Sequence, residues 1–288
     1  MSGRSIAIGG LLVVALVTGT VSDVPAARTV RVIGSYRVLE TDFHVHSFPF
    51  SWSTLSPWDT VLEARHQALD VIVMTPHNHV WVAQLGRWFS RWIDGPLVIV
   101  GEEIASGQYH LLAAGIANTV SERQPAARAI GQVHGQGGVA IAAHPYETYW
   151  SAYDAAALRT LDGAELVRPE SRSSEDAAAQ LHAFFGRAPL TAIGASDYHG
   201  LFLMGAARTF VFARERSEAA VLDAVRSGRT VVYDRGRPYG DPTLVALLEK
   251  EATLDRAVLP WPTPGPARAL SRLAAVIGLI AALFFNRW

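Results

Sequence analysis

Between about residues 36 and 235 the chain alternates short apolar runs with segments of helical period. YRVLETDF (36–43), DVIVMT (70–75), PLVIVGEE (96–103), YHLLAAGI (109–116), GVAIAAH (138–144), GAELV (163–167) and PLTAIGAS (189–196) read as strands. SPWDTVLEARHQAL (56–69) reads as a helix, with Ser56 as N-cap and Pro57 at its first position. QPAARAIGQVHGQG (124–137), DAAALRTL (154–161) and SEDAAAQLHAFFG (174–186) are also helical, and RTFVFA (208–213), SEAAVLDAVRSG (217–228) and RTVVYD (229–234) add a strand, a helix and a strand. This alternation predicts parallel strands with helices outside. About seven strands favour a barrel over an open sheet, and barrel chemistry collects at the C-terminal strand ends.

The two ends differ from this pattern. IAIGGLLVVALV (6–17) is an apolar run after Arg4, followed by small residues and Val24-Pro25-Ala26-Ala27, so 1–27 reads as a signal peptide or an N-terminal anchor. Leu273 to Phe285 is apolar, but its thirteen residues fall short of the roughly 20 that span a bilayer comfortably. PWPTPGP (260–266) reads as a semi-rigid linker. The segments are therefore a barrel domain over 36–235, a tail and linker over 236–266, and a short anchor or packed helix over 267–288. Membrane association through the ends, or secretion, with the barrel outside the cytoplasm, is the expected location.

With 288 residues, half of them hydrophobic, the chain can bury a large core. A formal net charge of −1 gives no basic field for nucleic acid. The absence of cysteine excludes thiolate metal sites and thiol nucleophiles, so metal chemistry falls to the ten His residues and the carboxylates.

Those residues fall at strand ends. Asp42, His44 and His46 end the first strand on alternate positions, which share a face. His77 and His79 follow the second strand, Glu102 and Glu103 the third; His110 opens the fourth, His144 ends the fifth, and Asp197 and His199 follow the strand from 189. Imidazoles and carboxylates gathered at one rim suit two or three divalent ions (Zn, Mn or Fe), whose surplus charge favours a small anionic phosphorylated substrate. Arg168, after GAELV, is a candidate for holding a phosphate oxygen, ahead of Arg172 and Arg208. His66, His134 and His182 lie within helices and read as structural or exposed, and the aromatic cluster of GRWFSRWIDG (86–95) reads as packing, with a mouth cap or lipid contact as alternatives.

DFHVH (42–46), TPHNH (75–79), GEEI (101–104), HLLAAGI (110–116), AHP (143–145), ASDYHG (195–200) and the ending RTFVFA…AVRSGRTVVY (208–233) together resemble the PHP family, named for polymerase and histidinol phosphatase. The resemblance implies a distorted (β/α)7 barrel, TIM-like, and hydrolysis of a phosphate ester by a metal-activated water at a di- or trinuclear site. It implies that His44, His46, Glu103 and Asp197 hold a first metal, that Glu103 bridges to a second held by His110 and His144, and that His77 and His199 serve a third. It further implies Asp42 as the group that orients an imidazole, and His199 and Asp197 as catalytic, with His199 protonating the leaving oxygen. Two positions depart from the family pattern, Trp52 and Pro76, each standing where the family carries Asp, and both weaken the third site. His79 is a candidate to compensate, and Trp52 a candidate wall of the substrate site. Two rival readings stay open: a non-phosphate metallohydrolase acting on an amide or lactone, and a decayed domain serving as a membrane-associated binding module.

Overall fold

The structure, a computed structural model, describes residues 3–28, 30–200, 203–250 and 265–285. Most of the Pro-rich stretch read as a linker lies outside these residues.

The described strands form one sheet. β1 (Arg31–Ile33) folds back antiparallel on β2 (Tyr36–Val45), and β3 (Val71–Met74) and β4 (Leu97–Ala105) follow β2 in parallel. β5 (His110–Ala114) runs antiparallel between β4 and β6 (Val139–Ala142), and β7 (Gly163–Val167) and β8 (Thr191–Gly194) continue parallel to β6. After β8 the chain returns to β2 through a bridge between Val45 and Tyr198, where His46 N–H donates to Tyr198 O (2.9 Å) and Tyr198 N–H to His44 O (3.1 Å). The seven strands β2 to β8 thus wrap into a nearly closed barrel. β9 (Thr209–Ala213), β10 (Thr230–Asp234) and β11 (Arg237–Gly240) add an antiparallel extension, with β9 on the first half of β2.

The uniform parallel arrangement expected from the alternation fails at β5. Only Ser106–Tyr109 joins β4 to β5, and a parallel crossover needs a dozen or more residues. This reversal matters for the site: His110 is the first residue of β5, yet it sits at the rim where its neighbours end.

Helices cover the outside: α1 (Gly3–Val21), α2 (Pro57–His66), α3 (Trp81–Trp92), α4 (Ala126–Gly135), α5 (Ala155–Thr160), α6 (Pro169–Ser173), α7 (Glu175–Phe185), α8 (Glu218–Arg226), α9 (Pro242–Lys250) and α10 (Pro266–Phe285). α3 was not evident in the sequence, because Val80 supplies no side-chain cap and the first turn carries no acid. Gly86 lets α3 press on β3, since a Cβ there would lie 2.3 Å from the Met74 sulfur. Phe89 of the aromatic cluster is buried, whereas Trp88 and Trp92 are exposed, so packing accounts for only part of it. Within the barrel, Phe43, Ile99, Leu112 and Ile141 are fully buried and fill the space below the rim. The face outside the strands carries Met74, Val100 and Ile104 against the helices.

Ser56 caps α2 by accepting from Asp59 N–H, and its hydroxyl donates to the Asp59 carboxylate. Burial pushes the Asp59 carboxyl from 3.8 up to about 6, against the Ser56 hydrogen bond and the positive charges of Arg272 and Arg268. The folded chain therefore keeps a proton that the unfolded chain releases at lower pH. Stability falls by about 3 kcal/mol as pH rises from about 4 to about 6, and this contribution is level above that. Asp59→Asn is expected to flatten the slope, as read from unfolding curves across that window. An unchanged slope would place the titration elsewhere.

Candidate metal centre

The rim residues converge. His44 Nε2 and His46 Nε2 lie 2.9 Å apart. Glu103 Oε2 is 3.2 Å from each, and Asp197 Oδ1 is 3.3 Å from His44 and 3.0 Å from His46. The other oxygen, Glu103 Oε1, is 2.6 Å from His110 Nδ1 and 2.9 Å from His144 Nε2. Glu103 thus faces two separate imidazole sets with its two oxygens. Strand alternation explains why Glu103, not Glu102, points inward: Glu102 shares the outer face with Val100 and Ile104, accepts from Val120 N–H at 2.6 Å, and is pushed up to about 7 by burial.

Three groups of donors each gather within 4.8 Å: His44, His46, Glu103 and Asp197; Glu103, His110 and His144; and His46, His77 and His199. His44, His46 and Glu103 are buried, while His77, His110, His144 and His199 are partly open and mark the way in. Two of these residues hold a left-handed backbone that side chains disfavour, His144 at φ 27° and Asp197 at φ 50°. Strain of this kind is retained where the surroundings over-determine a position, as functional sites do.

The electrostatics of the cluster are those of anions awaiting cations. Burial alone would raise the Glu103 carboxyl, but the surrounding imidazoles of His44, His110 and His144 hold it well below its ordinary range. Burial likewise opposes the Asp197 charge, yet His44, His46 and Arg168 hold that carboxyl well below its usual value. For His44 the desolvation penalty is outweighed by the carboxylates of Asp197, Glu103 and Glu165, which raise it well above 6.5. Asp197 Oδ1 is buried and no well-directed hydrogen bond reaches it. A divalent ion among these donors would supply the missing partner, so the residues present fit the metals that the resemblance implies.

Two groups differ in role from their expected ones. Asp42 does not orient an imidazole: it accepts from Ser196 N–H (3.0 Å), the Ser196 hydroxyl, Gly205 N–H (2.8 Å) and His44 N–H (3.2 Å), and so clamps backbone. A register shift in β2 between Asp42 and Val45 takes it off the face of the imidazoles. The orienting carboxylate is Glu165, buried on β7, with Oε1 2.7 Å from His44 Nδ1 and Oε2 accepting from His144 N–H at 2.6 Å. The sequence reading passed over it; the signal was an acid inside the apolar run GAELV. Arg168 is likewise no open phosphate holder. It is buried, and its three nitrogens donate to Glu170 (3.3 Å), Glu165 (3.3 Å) and Asp197 Oδ2 (2.7 Å). Burial would lower this guanidinium, but Glu165 and Asp197 keep it firmly charged. Ser51, also unforeseen, bonds His46 Nδ1 at 3.0 Å and accepts from His77 N–H at 3.1 Å.

The remaining candidates lie outside the centre. His79 meets the Phe50 ring edge, Arg208 pairs with Glu40, and Arg172 donates to Ala206 O. His134 pairs with Asp162 and His66 faces Val24 O, both on the outer shell, as does His182, which pairs with Asp234.

A family profile described as PHP-associated matches residues 182–230. Among solved structures, a two-domain protein from Bacteroides vulgatus containing a predicted PHP-like metal-dependent phosphoesterase is 23% identical, with a TM-score of 0.61 over 79% of this chain and 74% of that one. PsfC from Pseudomonas syringae is 14% identical, with a TM-score of 0.48 over 75% of this chain and 96% of that one. No curated protein sequence matches. The chain shares the fold of the PHP-like structure from Bacteroides vulgatus, and its residues 182–230 carry the PHP-associated match. Its two departures from the PHP pattern can now be placed. Trp52 is 90% exposed and forms no wall of the centre. Of the two positions, neither returns a carboxylate to the third donor group, which is made of imidazoles alone. With Nδ1 of His46 engaged by Ser51, that group also competes with the first for His46 Nε2.

Proposed function

We propose that this protein hydrolyses phosphate esters with two divalent ions, one held by His44, His46, Asp197 and Glu103 and the other by Glu103, His110 and His144. The observation that carries this reading is the Glu103 carboxylate, whose oxygens face two different imidazole sets. When bound, such ions polarise phosphoryl oxygens and activate water for in-line attack. The chain's own groups set the geometry. Glu165 fixes the His44 ring, Ser51 the His46 ring, and Arg168 holds Asp197 Oδ2, leaving Oδ1 to face His44 and His46. His199 is lowered to about 4 by burial and the neighbouring His46, and its Nδ1 lies 2.8 Å from Asp197 O. A neutral ring donating from Nδ1 presents the Nε2 lone pair, which suits holding a cation or taking a proton rather than giving one. The expected role of His199, proton donor to the leaving oxygen, would need this ring to be protonated first.

Elemental analysis and a panel of phosphate mono- and diesters test the proposal. About two ions per chain and turnover of at least one ester are expected. His144→Ala is expected to remove the second ion and turnover, whereas His134→Ala, on the outer shell, leaves both in place. A protein loaded with Mn or Zn that cleaves no phosphate ester would overturn the reading.

A further inference from the structure

α1 and α10 form an antiparallel hairpin. The Ser271 hydroxyl donates to Ala15 O (2.6 Å), a Cβ on Gly19 would meet Ser271 Oγ at 2.7 Å, and one on Gly278 would meet Leu12 at 2.6 Å. Their spans Gly3–Val21 and Pro266–Phe284 have mean hydropathy 1.8, with 11% and 28% of their residues buried. They are therefore not core helices. Ile6, Val13, Val14, Ile277, Ile280 and Phe284 stay exposed, so apolar surface faces outward on both helices. Nineteen residues rise about 28 Å, which matches the hydrocarbon thickness of a bilayer.

The hairpin is seated on the barrel rather than trailing from it. Arg272 pairs with Glu63 at 2.6 Å and Arg268 with the same carboxylate at 3.4 Å. Asp23, just after α1, pairs with Arg65 at 3.2 Å.

These contacts also fix its direction. α2 leaves the rim at Ser56 and descends to His66. α1 descends beside it, because Gly19 lies against Asp59 and Leu62, Asp23 against Arg65, and Val24 O against His66. The sixteen residues from Gly3 to Gly19 rise about 24 Å, so α1 reaches back well past the start of α2, on the side where the metal centre opens. On that rim stand exposed aromatics: Trp52 at 90%, Phe50 at 45% and Trp81 at 37% exposed. Phe50 and Trp52 flank Ser51, which braces His46 and His77. Exposed Trp and Phe beside a long apolar hairpin is the composition of a membrane interface.

We propose that the mouth of the barrel lies against a lipid bilayer, with the hairpin inserted and Phe50, Trp52 and Trp81 at headgroup depth, and that the substrate is a phospholipid whose phosphate ester enters the metal centre from the membrane. The substrate half rests on the hydrolase reading above. A bilayer is favoured over a second copy of the chain because apolar side chains are exposed on both helices along their length.

The chain contains no cysteine, so single labels can be placed cleanly. Trp52→Cys reports the rim. Ser227→Cys reports the opposite end, beside the contact of Arg226 with Gly137. Each full-length variant carries an environment-sensitive fluorophore in phosphatidylcholine vesicles containing phosphatidic acid. The label at 52 is expected to shift to the blue and be shielded from aqueous iodide, while that at 227 stays quenched. Equal quenching at both positions overturns the proposal. In a second arm, phosphatidic acid in vesicles is expected to turn over at least about tenfold faster than water-soluble glycerol phosphate, through the local concentration a bilayer provides. Turnover of soluble esters with no vesicle preference overturns this inference and leaves the hydrolase reading intact. Turnover of neither, with position 52 shielded, overturns the hydrolase reading and the substrate with it.

Discussion

Glu103→Gln is expected to strip both ions from the protein and lower phosphoester hydrolysis by more than about 100-fold, beyond the 10–100-fold that an outer partner usually costs. The side chain keeps its size, so the change is one of charge. Glu103 Oε2 faces His44, His46 and His77, and Oε1 faces His110 and His144. An amide offers one carbonyl oxygen and, in place of the second, an NH2 group that only donates, so it cannot serve both sets. Elemental analysis per chain, with circular dichroism to establish folding, is the measurement. Retention of about two ions per folded chain would remove the bridging role.

Glu165→Gln is expected to weaken metal affinity by about 10–100-fold while leaving most turnover recoverable at high metal. Its carboxylate fixes the His44 ring through Nδ1 and holds the backbone N–H of His144, so it touches a residue of each candidate site while belonging to neither donor group. Burial would raise this carboxyl, but His44 and Arg168 hold it below its usual value, which keeps it an acceptor. A titration of activity against added Mn or Zn reads the effect. A loss of turnover that excess metal does not rescue would assign Glu165 to the fold or to the chemistry instead of to orientation.

Much of this arrangement was legible in the sequence because it follows strand period. His46, His77, His144 and Asp197 all stand just past a strand end, where the polarity pattern breaks, and Glu103 was distinguishable from Glu102 by its place in GEEI. What escaped depends on contacts that no local pattern carries. Glu165 works through His44, which lies 121 positions away, and its own strand reads as apolar. The bulge that turns Asp42 aside exists only in the pairing of β2 with β3. Arg168 at a rim position looks free in sequence, and only the fold shows three carboxylates around it. The reversal of β5 was visible in the shortness of the β4–β5 link, a clue that the regular alternation of elements masked.

The bridge between Val45 and Tyr198 is the last joint of the barrel, and it joins parts of the chain more than a hundred residues apart. The first donor group straddles that joint, with His44 and His46 on one side and Asp197 on the other. An ion held there would act as a clasp across the seam. The same cation that would activate water would then also tie the two sides of the barrel together.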